Sequence, residues 1–206
     1  MSAPQAKPLP WHARAALIAC TVLAAMVGLG ASTDIARLRQ LSEVPILPAS
    51  YKTLLTAEAL QKAEGVARAS MLGMRSSRLA VLTLLCIACT VTFLTVLRLW
   101  RPLGLPRAGV LRLASFAALG CALLRTVDGA QDAVIFRRMI AAVGQGLADG
   151  PADPEMARLV ASSLPVQVAI HMGWTLLVAG AFVVVSQYFR STLARKLFTA
   201  GDPAPP

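Results

Sequence analysis

Long uncharged runs recur along the chain, and most of them are closed by arginine. Residues 79–97, LAVLTLLCIACTVTFLTVL, lead directly into RLWRPLGLPR. These nineteen residues, at ~1.5 Å each in a helix, cover about 28 Å, close to the thickness of a bilayer's hydrocarbon core. A helix satisfies its own backbone in lipid, so the pattern predicts a crossing over 78–98. The run 15–33 is equally long and predicts a first crossing over 12–32. With Lys7 and Arg14 ahead of it, that run has the outline of a signal peptide, but it is long enough to span and is read as an uncleaved anchor. Only twelve uncharged residues separate Arg112 from Arg125, about 18 Å, so the third crossing must include one of them. Arg112 can snorkel to the surface, which places that crossing at 108–127. The fourth runs over 166–188, with Pro165 kinking or restarting the helix before it.

Between the crossings the period stays helical but becomes amphipathic. The segment 34–76 reads as a helical hairpin broken at Pro45 and Pro48, its return helix starting near Tyr51. Leu60, Ala63, Val66 and Ala67 recur on one face of that helix, opposite Glu58, Lys62 and Glu64. The pattern leaves open whether it continues into the second crossing or breaks around 73–77. A second hairpin over 128–164 carries Phe136, Met139, Ile140, Val143 and Leu147 as its stripe and turns at Gly150-Pro151. Residues 99–107 form a tight loop and 189–206 a tail.

Charge orients these elements. Arg98, Arg101, Arg107 and Arg112 flank the tight loop, and Arg190, Arg195 and Lys196 follow the last crossing. Of the ten acidic residues only Asp202 lies on that side. Short basic loops stay in the cytoplasm, so both termini are expected there. Arg75 and Arg78 on the opposite side weaken this asymmetry without reversing it. A net charge of +10 invites a nucleic-acid reading, but no basic block is interleaved with aromatics, and the charge suits the membrane surface instead. Sixteen Arg against four Lys, and no Asn, point to a GC-rich bacterium and hence its inner membrane. The expected fold is an all-α integral membrane protein, a bundle of four transmembrane helices with helical extensions on the non-cytoplasmic side.

Four features bear on chemistry. Counting outward from each basic end reaches Ser32 and Thr33, nearly Arg78, then Arg125, and finally His171 at one depth. Asp34 is adjacent, Arg125, Asp128 and Asp132 share a helical face, and Gln167 lies one turn from His171. Asp34, Arg125, Asp128, Asp132, Gln167 and His171 are the candidate polar layer, either an interfacial layer with Arg125 paired to Asp128 or a solute or proton site. Next, Cys86 and Cys89 have the CxxC spacing of redox dithiols. They lie deep in an apolar helix, where no water stabilises a thiolate, and packing is the commoner use of such thiols. Metal ligation has no support: His12 and His171 fall at opposite ends of their crossings, and no cofactor motif is present. Small residues at 28–31, 117–120, 173 and 179–181 predict close helix contacts.

No recognisable catalytic motif remains. The leading expectation is a structural or accessory subunit, or scaffold, whose outer helices pack on a protein partner or on a second copy. One alternative is a small-solute or proton-coupled carrier using the polar layer. Another is a membrane thiol–disulfide oxidoreductase acting through Cys86 and Cys89.

Overall fold

The computed structural model describes residues 10–40, 57–100, 107–148 and 154–199, helical throughout except at Pro10, Gln40, Met74 and Ser191. The expected break at Pro45 and Pro48, most of the tight loop, the turn at Gly150-Pro151 and the end of the tail lie outside the described residues. Those residues form α1 (Trp11–Arg39), α2 (Ala57–Gly73), α3 (Arg75–Trp100), α4 (Arg107–Ala148), α5 (Pro154–Arg190) and α6 (Thr192–Thr199).

Within α1, α3, α4 and α5 lie stretches long and apolar enough to cross a membrane, and only 22% to 33% of each apolar window is buried inside the chain. Large apolar side chains face outward on all four: Met26 and Leu29, Leu84 and Ile87, Phe116 and Leu123, Leu177 and Val184. Water opposes exposing such a surface at about 25 cal/mol per Å², whereas lipid tails accept it. The chain is an all-helical, multi-pass membrane protein.

Helix length explains how crossings and extensions join. The 42 residues of α4 reach about 63 Å, twice the hydrocarbon thickness, so one rod holds both the third crossing and the extension after it. The 37 residues of α5 pass through Pro165 without interruption. A proline removes one backbone donor, and here the turns on both sides remain helical. The helix before the second crossing does divide, at Met74 between α2 and α3. The break is slight, because the Arg78 N–H still donates to the Met74 carbonyl at 2.9 Å and Ser77 Oγ donates to the same oxygen at 3.0 Å.

The segment read from the sequence as a plain tail contains α6. Ser191 ends one helix and caps the next: its Oγ donates to the Tyr188 carbonyl at 2.7 Å and accepts the Ala194 N–H at 3.1 Å. Ala194 and Phe198 are then buried one turn apart, while Arg195 and Lys196 stay exposed. The i, i+4 spacing of these two apolar residues is the signal that the tail reading passed over.

Packing divides the chain into two compact units, to both of which α1, α3, α4 and α5 contribute. The first comprises Met1–Gly30, Leu85–Leu123 and Val178–Pro206. Its core joins Leu17 and Cys20 of α1, Val96 and Leu99 of α3, Leu111 of α4, Phe189 of α5 and Phe198 of α6. Thr90, Thr92 and Thr95 return their hydroxyls to carbonyls of their own helix at 2.8 Å, so α3 needs no outside partner for them. Ser115 and Ser186 exchange bonds across α4 and α5: each Oγ donates to the other's carbonyl, at 3.1 and 2.9 Å. Arg190 Nε donates to Ser115 Oγ at 2.9 Å while its guanidinium covers the Phe116 ring.

The second unit comprises Ala31–Leu84 and Leu124–Leu177. Ala63 and Ala67 of α2 pack on Met139, Ile140, Val143 and Leu147 of α4, with Leu60 and Phe136 at the margin. The two amphipathic stripes therefore meet each other within the chain. Among the described glycines the tightest approach is at Gly129, where a Cβ would overlap the Thr175 side chain. Of the small residues singled out in the sequence, a Cβ added at Gly28 would stand 3.2 Å from Cys89 Cβ, but one added at Gly30, Gly120, Gly173 or Gly180 would meet nothing within 4 Å.

Candidate functional site: a charged cluster in the second unit

Arg78 stands one turn into α3, and Arg125, Asp128 and Asp132 occupy i, i+3 and i+7 of α4, which puts all three on one face. Arg78 Nη2 lies 2.5 Å from Asp132 Oδ1 and 3.5 Å from Asp128 Oδ1. Arg125 Nη1 donates to Asp128 Oδ2 at 2.5 Å. The Asp128 side chain is 0% exposed and that of Arg78 6%. A lone carboxylate removed from water is very costly, and two guanidiniums offset that cost here. The 3.5 Å contact is an ion pair without hydrogen-bond alignment, so Asp128 Oδ1 and Arg78 Nε have no hydrogen-bonding protein partner.

Asp34 and Arg37 lie one turn apart on α1, with 3.8 Å between Oδ1 and Nη1. The pair is loose: Arg37 is 77% exposed and Asp34 34%. On α5, His171 stacks against Phe136 of α4 with ring centroids 6.4 Å apart and planes at 18°. Its Nε2 is buried without a hydrogen-bond partner. A cavity of about 370 Å³ lies at these groups. Asp34, Arg37, Arg78, Asp132 and His171 form its polar wall, and Leu38, Met71, Ile135, Phe136 and Met139 its apolar one.

The candidate layer thus separates into three parts. Asp34, Asp132 and His171 share the cavity wall. Arg125 and Asp128 join it through the ion pair to Arg78, which is the hub of the cluster and which the candidate set omits. Gln167 turns to its own helix, where Nε2 donates to Ser163 Oγ at 2.9 Å. Ser32 and Thr33, at the same depth by counting, are exposed. Depth and face are legible one helix at a time, but the contact of Arg78 with α4 depends on how α3 is rotated.

The CxxC spacing does not bring its two sulfurs to a common partner. Cys86 Sγ lies 3.6 Å from the Gly28 carbonyl, and Cys89 Sγ lies 3.7 Å from Cys121 Sγ. Thr92 Oγ1 approaches Cys121 Sγ at 3.6 Å, and all four cysteines are free thiols. Among the described residues no group of three or more His, Cys, Asp or Glu side chains is placed to hold a metal ion. His12 belongs to the first unit, with its ring edge toward Tyr188.

Comparison of the chain with known family models, curated proteins and solved structures gives no match.

Proposed function

We propose that this membrane protein binds a small solute in the cavity of its second unit and acts as a carrier or receptor for it. One observation carries the reading: a cavity of about 370 Å³ with an apolar wall and a convergent charged wall, the composition typical of small-molecule sites. The charged wall is held in place by a buried cluster instead of by solvent, which pre-organises it. In this reading the four long helices form a bundle in a bacterial inner membrane. Both termini face the cytoplasm, and residues 34–76 and 128–164 face outward.

The test is a thermal-unfolding screen of the full chain in mild detergent against organic cations, organic anions and neutral solutes. At least one class should raise the unfolding temperature saturably, and the doubly substituted Asp34→Asn, His171→Ala protein should lose that shift. A screen in which no class stabilises the wild type would refute the proposal.

A second reading, an accessory subunit packed on a protein partner, draws support from Leu72 of α2 and Leu159 of α5, 50% and 65% exposed. Its measure is whether a partner or a second copy stays bound through purification, and whether Leu159→Glu releases it.

A further inference from the structure

We infer that the cavity takes a monovalent organic cation with an apolar body. This rests on the solute-binding reading above and specifies its substrate class.

Charge is unbalanced over the ion-paired cluster and the cavity wall. The side chains less than half exposed are Asp34, Asp128 and Asp132 on one side and Arg78 and Arg125 on the other. Three carboxylates therefore meet two guanidiniums. The remaining cation on the wall, Arg37, is 77% exposed, so water and salt screen most of its charge. Arg78 has its charge divided between Asp128 and Asp132, and Arg125 is committed to Asp128. The deficit of one positive charge falls on Asp34, a half-buried carboxylate whose single ion pair is long.

The opposite wall suits the body of such a molecule. Phe136 offers an aromatic ring, which attracts cations through its quadrupole. Met71 and Met139 offer polarizable thioethers that adapt to varied shapes. Leu38 and Ile135 complete the apolar side. The volume of about 370 Å³ corresponds to roughly a dozen water-sized groups at ~30 Å³ each, enough for one small aromatic or branched ammonium ion. An anion would meet two guanidiniums on this wall: Arg78, already shared by two carboxylates, and Arg37, whose exposed charge is screened and lies beside Asp34.

The experiment is isothermal titration of the detergent-solubilised full chain with three probes: benzyltrimethylammonium, phenylacetate and benzyl alcohol. Benzyltrimethylammonium should bind saturably and the other two at least about tenfold more weakly. Asp34→Asn should weaken benzyltrimethylammonium about tenfold, whereas Arg37→Gln should change it by no more than about twofold, its charge being screened. Phe136→Leu, which keeps an apolar side chain, should also weaken it and serves as the readout if Asp34→Asn does not fold. Binding of phenylacetate or benzyl alcohol in preference to the ammonium ion overturns the cation assignment but leaves a solute site standing. Saturable ammonium binding indifferent to Asp34→Asn and Phe136→Leu also overturns it. Absence of binding by all three probes, together with a silent stability screen, removes both readings.

Discussion

In the first unit Ser115 and Ser186 bond each other through neutral hydroxyls and carbonyls, at 2.9 to 3.1 Å, with Arg190 Nε adding a donor to Ser115 Oγ from the margin. In the second, Asp128 is held without exposure by two guanidiniums from two helices. Both devices join helices that present apolar side chains to their surroundings, yet they respond differently to loss of a member. A hydroxyl pair has low desolvation cost, and each serine can fall back on its own helix. A buried charge has no such refuge, so the ionic cluster holds or fails as a set.

The largest consequence of this difference should be seen with Asp128→Ala. It leaves Arg125 without its carboxylate and Arg78 with Asp132 alone, and should cost roughly 3–5 kcal/mol in equilibrium unfolding in mixed micelles. The contrast between units breaks if this variant loses no more stability than a serine variant does. Next comes Gly129→Ala, whose new methyl would overlap Thr175; a loss of about 1–3 kcal/mol is expected. Thr175→Ala in the same chain should restore part of it, since two of the three crowding atoms leave. Ser186→Ala should cost about 1 kcal/mol or less, the ordinary worth of an intramembrane hydrogen bond. Smallest is Gly180→Ala, where nothing lies within 4 Å; it should gain about 0.5 kcal/mol from helix propensity alone. Melting curves of this last pair would sharpen the comparison by setting its baseline.

The same contrast separates what a linear reading recovers from what it misses. Uncharged runs fix where α1, α3, α4 and α5 are apolar, because length against bilayer thickness needs no knowledge of neighbours. The i, i+3, i+7 spacing of Arg125, Asp128 and Asp132 likewise belongs to one helix. Arg78 is different. Its depth can be counted, but its partners belong to another helix, and no spacing within α3 announces them. Gly129 stands between Asp128 and Ala130 with no run of small residues to mark it, whereas the stretches at 28–31 and 179–181 carry that mark. Of those, Gly30 and Gly180 have open space where a Cβ would stand. Close approach is a property of two surfaces, and only one of them is written in any given segment. Gln167 shows the converse: correct depth and a polar side chain, but a hydroxyl one turn away on its own helix satisfies it first.

The order in which the chain is made gives the zero exposure of Asp128 a further meaning. Arg78 leaves the ribosome well before the carboxylates that will neutralise it, and a guanidinium cannot wait unaccompanied in oil. Until α4 follows, the start of α3 has to linger among headgroups or inside the translocation machinery. Loss of the Asp128 carboxylate should therefore lower the yield of inserted protein as well as the stability of the finished one.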